Sequence, residues 1–523
     1  MNNTSSEHRG IVKSAMMLSI VSAFGLIFSF IKEAVIAGFF GTSAGTDAYT
    51  IAIQIPVILF AVVSTAIQTV VVPLYSKALY GEGKKDADNF ASNFTTIVTI
   101  ITITAVIICE IFTDQIVYLF APGLNHEIHD LAVQLSRIVL PTMIMTELIT
   151  INAGIMQVNG SYVLPALSVN VLNTVFVLVI IFCAKFLGIY AAAGGVFIGT
   201  LLQVLYSVIV RRKYFKYKLR LNIKDKRIIK AGKMAVPVFL GIGAAEINKI
   251  VDKMVSSFLI TGSISSLNYA SKLTTAISSL LITNIATVVY PKYSKYAAKN
   301  DEKALSDMFK MTLSLYLLIL VPIIFGGAFL SREIIILVFK RGAFDENSVK
   351  AVAPLFACYL ICLIFTAIRQ SASRVFYSLG DSKTPMKNSV IGIGINIILN
   401  IILAYYFGAL GLAMATTIST AIISGLILRE ITVYIKKISY KDVFITCVKS
   451  ILAAICMTLV LLVTRDALIG SLKNIHSEFI QNLSYALICV IFGLCIYFIA
   501  LILLKTKEVS AVKKFFNGRK RNA

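Results

Sequence analysis

At 523 residues, with 58% hydrophobic and 14% charged residues and a mean hydropathy of +0.85, the chain is too apolar to be a soluble domain. A formal net charge of +23 is what a nucleic-acid binder would carry, but the lysines and arginines sit in alternate loops between apolar runs, a pattern that sets membrane topology and excludes nucleic acid as the partner. The class that remains is an all-α integral membrane protein.

Apolar runs of helix-spanning length predict about fourteen transmembrane helices, the first centred near residue 22 and the last near residue 493. The run from Ser14 to Ile31 lacks a small-residue cleavage site and leads into further spans, so it reads as a span and not as a signal peptide. It ends in Lys32 and Glu33. Gly38, Gly41 and Gly45 then loosen the backbone before Asp47 opens the second span. These ionisable residues either face a cavity or sit in a solvated outer loop. In the fourth span, Arg137 lies near the outer end, where its head can snorkel to water. Glu147 lies deeper, and is either a proton or cation site or a neutral, hydrogen-bonded acid.

The first lobe is expected over residues 1–210, followed by a basic cytoplasmic linker over 211–233 that carries eleven lysines and arginines and should lie along the anionic membrane surface. The second lobe, 234–435, opens with the most informative feature of the chain. A spanning stretch from Met234 to Ile260 carries Glu246, Lys249, Asp252 and Lys253, of which Glu246, Lys249 and Lys253 share one helical face. A charge at the bilayer centre costs roughly 2.5–3.5 kcal/mol on insertion scales, so such a stripe lines a cavity or a bundle interior. Lys272 follows early in the eighth span. Arg374 precedes the turn Gly380-Asp381-Ser382-Lys383-Thr384-Pro385 and reads as an anchor, whereas Arg369 fits packing or cavity equally. Residues 436–523 hold spans thirteen and fourteen and a basic tail.

The lobes repeat one another about 220 residues apart. Pro73-Leu74-Tyr75-Ser76-Lys77 returns as Pro291-Lys292-Tyr293-Ser294-Lys295, Phe120-Ala121-Pro122-Gly123 as Phe339-Lys340-Arg341-Gly342, and Phe186-Leu187-Gly188 as Tyr406-Phe407-Gly408. Six spans per copy give the two lobes the same orientation, a pattern of transporters that bind substrate near mid-membrane. With both termini cytoplasmic, inside segments hold thirty-two lysines and arginines against eight outside, which fixes a multi-pass orientation.

Enzyme chemistry finds no support. The outer loops are short and carry no constellation of acids and histidines, and no Walker motif is present for ATP. The eight cysteines lie in or beside apolar spans as small hydrophobes, and Cys358 and Cys362 have no paired set to complete a metal site. His126 and His129, in an outer loop, offer weak metal ligation at most, so neither metal nor cofactor is expected.

Lys32-Glu33-Ala34-Val35-Ile36-Ala37-Gly38-Phe39-Phe40-Gly41, with Thr46-Asp47-Ala48-Tyr49 after it, resembles the opening signature of the MurJ/MviN family. Ser265-Ser266-Leu267-Asn268-Tyr269-Ala270-Ser271-Lys272-Leu273, Arg341-Gly342-Ala343-Phe344-Asp345 and the segment from Arg374 to Pro385 resemble that family in the same order, over most of residues 10–505. The resemblance implies the fold of the multidrug/oligosaccharidyl-lipid/polysaccharide exporter superfamily, with two parallel six-helix lobes and two additional C-terminal helices. It also implies flipping of lipid II, the undecaprenyl-diphosphate-linked cell-wall precursor, across the bacterial cytoplasmic membrane, with membrane lipids and cell-wall synthesis proteins as further partners. The family's arginine-aspartate pair stands here as Lys32-Glu33 and its cavity arginine as Lys272, while Asp47 matches directly. Its other first-lobe arginines fall at Leu26, Phe60 and Ala61. The alternatives are a flippase for a lipid-linked capsule or exopolysaccharide repeat unit and a cation-coupled multidrug exporter. A diphosphate would be drawn to Lys32, Lys249, Lys253 and Lys272, with Asp47, Glu246 and Asp252 holding those lysines, and Gly38, Gly41 and Gly45 as hinges.

Overall fold

The computed structural model describes Met17, Val21 and residues 24–506, apart from 436–437 and 473–476. Arg9, Lys13, His476 and the basic tail after residue 506 lie outside the described residues. Among those described, all regular structure is helical.

Helix α1 covers residues 24–40 and is followed by α2 (Ala44–Gly81), α3 (Lys84–Ile111), the short α4 (Thr113–Phe120), α5 (His126–Val139) and α6 (Thr142–Val158). Next come α7 (Val163–Leu187), α8 (Tyr190–Arg211), α9 (Lys226–Ser257), α10 (Ser263–Ile277) and α11 (Asn284–Ala298). The chain closes with α12 (Glu302–Phe329), α13 (Ser331–Phe339), α14 (Glu346–Ser378), α15 (Lys383–Tyr434), α16 (Lys441–Ser471) and α17 (Glu478–Leu503). Side-chain caps set several of the starts: Ser43 accepts from the Thr46 amide, Asn125 from Ile128, Asp301 from Ala304 and Asp345 from Ser348. Eleven helical stretches among the described residues are long and apolar enough to cross a membrane. One of them, α15, is broken at Gly408, whose φ of 57° and ψ of −134° are not helical. The charged α9 is not among the eleven, and α1 is described only in part.

The internal repeat is written in the backbone as well as in the sequence. Positive φ occurs at Gly41, Gly83, Gly160 and Gly188, and again at Gly262, Asn300, Gly380 and Gly408, each about 220 residues on. Gly188 (φ 55°, ψ −139°) and Gly408 (φ 57°, ψ −134°) take nearly the same conformation between consecutive apolar segments. Left-handed φ costs L-residues with a Cβ roughly 1–2 kcal/mol, which is why glycine fills seven of the eight positions.

Contacts group the chain into two compact units, Met1–Ser265 with Gly342–Phe344, and Ser266–Arg341 with Asp345–Ala523. In the first unit, α2 packs against α5, α6 and α9, and α7 lies along α8. Gly199 brings α8 close to the Leu172 carbonyl of α7, and Gly195 makes room for the Phe176 ring, an interface of small residues that suits helices in lipid. In the second unit, one apolar core gathers Tyr293, Phe309, Val375, Phe376 and Ile427, and another joins α12 to α16 and α17 through Leu317, Val321, Met457 and Tyr497. Between α10 and α11, residues Ser278–Thr283 form a π-helical segment, and the Tyr316 hydroxyl donates to the Ile282 carbonyl at 3.0 Å.

From Lys226 onwards the linker is already the start of α9. Residues 215–222 run without regular structure and are tied to α3, whose Asn93 both donates to the Asn222 carbonyl and accepts from the Asn222 amide. Phe215 is buried, while Leu219, Leu221 and Ile223 are exposed between basic neighbours.

Candidate functional site

Asp47 sits in the first turn of α2 and is only 2% exposed. Its Oδ2 accepts the Gly262 amide at 2.6 Å and its Oδ1 accepts the Ser265 amide at 2.7 Å. A carboxylate placed on the open amides at the start of α10 satisfies donors that the helix cannot pair internally, and it meets the positive end of the helix dipole. The Ser265 hydroxyl donates to the Gly262 carbonyl at 3.1 Å and tightens the same turn.

Three glycines let backbones touch around this clasp. Gly41 (φ 58°) is buried, and a Cβ there would collide with the Ala343 carbonyl. Gly262 (φ 89°) would place a Cβ 2.6 Å from the Thr42 carbonyl oxygen. Gly342 (φ 55°) lies against the Gly38 carbonyl, which accepts the Ala343 amide at 2.8 Å. Gly38 remains helical and offers a carbonyl. Gly45 lies in the first turn of α2 in ordinary contact with Ile189, and among the three glycines singled out from sequence Gly41 alone has positive φ.

Beside the clasp, a cavity of about 230 Å³ is lined by Asp47, Asn125, Ser256, Ser257 and Thr261, with Ile128 and Ile264 among its apolar walls. The Ser257 hydroxyl accepts the Gly123 amide at 2.9 Å, and the Phe258 ring lies over Gly123, where a Cβ would meet it at 2.7 Å.

The other charged candidates of the first unit are on α1 and α9. The Lys32 ammonium stands 4.6 Å from the centre of the buried Phe176 ring, a cation–π geometry that favours the charge. Glu33, next to it, is buried. On α9, the Lys249 ammonium donates to Glu246 Oε1 at 2.8 Å, with the Lys249 side chain 54% exposed and that of Glu246 11% exposed. Glu246 Oε2 is buried without a hydrogen-bond partner among the described residues. Asp252 and Lys253 are half-buried one turn further on. Lys272 is exposed on α10 and belongs to the second unit. The structure thus joins Asp47 to the start of α10 and Lys249 to Glu246.

Two features escaped sequence reasoning. The close approach of Gly342 to Gly38 had only the repeated Phe-x-x-Gly phrase as a signal. Glu147 is fully buried and accepts the Thr99 hydroxyl at 2.9 Å, a pairing across two helices that no local spacing announces. His129 Nδ1 lies 3.8 Å from Asp114, and His126 Nδ1 lies 3.0 Å from Asp130. Among the described residues no group of three or more His, Cys, Asp or Glu side chains is placed to hold a metal ion.

Residues 36–478 match the family model described as lipid II flippase MurJ. A probable lipid II flippase MurJ of Rickettsia prowazekii is 26% identical over 505 residues, covering 95% of this chain and 98% of that one. A probable lipid II flippase MurJ of Buchnera aphidicola subsp. Baizongia pistaciae is 27% identical over 485 residues, covering 92% and 94%. Among solved structures, lipid II flippase MurJ in an inward closed conformation superposes with a TM-score of 0.78 at 29% identity, covering 93% of this chain and 98% of the other. An inward-facing multidrug resistance MATE family transporter of the MOP superfamily superposes with a TM-score of 0.67 at 14% identity, a likeness of fold alone. With the family model matching well over half of its length, this chain belongs to the MurJ family of lipid II flippases.

Proposed function

We propose that this chain carries lipid II from the inner to the outer leaflet of the cytoplasmic membrane by alternating access, as a transporter and not an enzyme. The observation that carries the reading, beside family membership, is the set of cations Lys32, Lys249 and Lys253 on helices of the first unit that hydrocarbon alone would not tolerate. Lys272 on α10 adds a fourth. Ammonium groups attract a diphosphate as point charges, and a hydrated head group needs polar surroundings while a polyprenyl tail stays in lipid. In this reading the clasp between Asp47 and the amides of Gly262 and Ser265 forms and breaks during the cycle, with Gly41 as the pivot. Both termini face the cytoplasm, in keeping with the excess of basic residues in the inside segments. The two lobes are taken as 1–210 and 234–435, with residues 436–523 appended.

The replacement of family arginines by Lys32, Lys272, Leu26, Phe60 and Ala61 favours one second reading, a lipid-linked capsule or exopolysaccharide repeat unit as cargo. Complementation separates the two. Expression in a strain depleted of its lipid II flippase should restore growth. Failure despite normal membrane abundance, with rescue of a repeat-unit flippase mutant, would transfer the assignment to the second cargo.

A further inference from the structure

The site described above leaves out a carboxyl group that is wholly enclosed. Glu147 lies in α6 with no exposed surface. The Thr99 hydroxyl on α3 donates to its Oε1 at 2.9 Å, whereas Oε2 is buried with no hydrogen-bond partner among the described residues. Thr102, one turn along α3, adds a second hydroxyl to its surroundings. Among the described residues no lysine, arginine or histidine is ion-paired with it.

The helices packed against α6 are α2, α3, α7 and α8, and none brings a countercharge to this depth. On α2 no ionisable residue occurs between Tyr49 and Tyr75. On α3 the nearest are Asp88 and Cys109, with Glu110 beyond it, each at least about 15 Å along the axis from Thr99 at 1.5 Å per residue. On α7 none precedes Cys183 and Lys185, and on α8 none falls between Tyr190 and Tyr206, with Arg211 at the far end. Arg137 on α5 is ten residues before Glu147, again about 15 Å. A carboxylate in such a place would be an uncompensated buried charge, which costs far more than binding a cation there.

Polar side chains lie between the carboxyl and the end of α3 that meets the linker. Asn93, Thr96, Thr99 and Thr102 recur every third residue along α3, each a neighbour of the next on a track that winds by about 60° per step round the helix. Thr96 shares a 2.8 Å hydrogen bond with the Tyr217 hydroxyl of the linker, and Asn93 is bonded to Asn222. On the other side, Asn152 of α6 donates to the Ser207 hydroxyl of α8 at 3.0 Å. A file of hydroxyl and amide groups therefore leads from Glu147 towards the linker.

We propose that Glu147 is a proton-binding site of the transport cycle, loaded and unloaded along the Thr99–Thr96–Tyr217 file. A proton needs only one carboxyl oxygen, whereas the hard metal ions take six or more oxygen ligands. The two carboxyl oxygens and the hydroxyls of Thr99 and Thr102 fall short of that. The proposal rests on the transporter reading, because a proton bound and released in alternation is useful only to a protein that moves something.

The test uses purified full-length protein in liposomes. Infrared spectra without any lipid II should contain a protonated-carboxyl band that disappears on raising the pH and is absent in Glu147→Gln. With lipid II, an imposed pH gradient should change the wild-type flipping rate several-fold and leave Glu147→Gln unresponsive. Thr99→Val should keep the band and shift its titration midpoint, which decides the matter if Glu147→Gln does not fold. A band that persists at every pH where the protein stays folded would mean a structural neutral acid and overturn the proposal. Loss of the band on adding sodium at constant pH would overturn it in favour of a sodium site, as would a pH response retained by Glu147→Gln. A wild-type protein that moves no lipid II yet shows the titrating band keeps the proton site and overturns the cargo reading, so the two failures are distinct.

Discussion

The Asp47 carboxylate is bonded to the Gly262 amide at 2.6 Å, across more than two hundred residues of chain, and its second oxygen takes the Ser265 amide. Hydrogen bonds to charged groups contribute about 1.5–3 kcal/mol each, so this clasp is among the stronger polar contacts of the first unit. Asp47→Ala would leave two amides without acceptors. We expect it to abolish flipping and to lower the melting temperature of the purified protein, with Asp47→Asn intermediate because one acceptor survives. Flipping at the wild-type rate by Asp47→Ala would show that the clasp is not part of the cycle.

The glycines around the clasp should differ sharply in tolerance. At Gly342 and Gly41 an added Cβ meets a backbone carbonyl and φ is positive, so Gly342→Ala and Gly41→Ala should each cost about 1–3 kcal/mol and depress transport. Gly45→Ala, with the nearest atom at an ordinary 3.6 Å, should be near neutral. Thermal unfolding in detergent and a flipping assay on all three check the ranking. Equal effects at Gly45 and Gly342 would contradict it.

Much of this architecture is legible in the sequence alone. Runs of apolar residues announce helices because lipid forces every backbone group to pair within its own segment, and the repeated phrases announce a duplicated unit. The sequence also points to Asp47 and the stripe on α9, since charge in an apolar run is its own signal. It does not reveal that Asp47 holds the start of α10, because that contact depends on the approach of segments remote in the chain. The approach of Gly342 to Gly38 and the bond from Thr99 to Glu147 are hidden for the same reason. Gly408 is legible as well, as the repeat of Gly188 between two apolar runs, and its non-helical φ and ψ break α15 there. The linker's alternating leucines and lysines do not disclose that Asn93 and Ser92 tie its backbone to α3.

Lys249 separates binding from stability. Its ammonium is more than half exposed where it meets Glu246, and pairs of that kind contribute about 0–1 kcal/mol. Lys249→Ala should therefore accumulate and melt like the wild type while losing transport, and Lys272→Ala should behave alike. Quantified membrane abundance beside a flipping assay checks both. Normal transport in both variants would remove these lysines from the substrate site, and loss of the protein itself would make the Lys249 pair structural.

The turn between α14 and α15 should confer an acid-sensitive contribution to stability. Asp381 is held at a pKa of about 2, first by the Thr384 hydroxyl at 2.6 Å and then by the Thr384 amide, with the Tyr434 hydroxyl at 2.8 Å and the Lys383 amide adding to it against slight burial. An unfolded aspartate titrates near 3.9, so the folded carboxyl is the stronger acid. Its stabilisation is fully present above about pH 4 and is lost as the pH falls through the folded value near 2. Between those limits the melting temperature of the wild type should fall more steeply with acid than that of Asp381→Asn, and above pH 5 the difference between the two should be constant. Tyr434→Phe, which removes one donor to the carboxylate, should reduce the slope only in part. Parallel acid profiles for wild type and Asp381→Asn would show that the turn contributes nothing to this dependence.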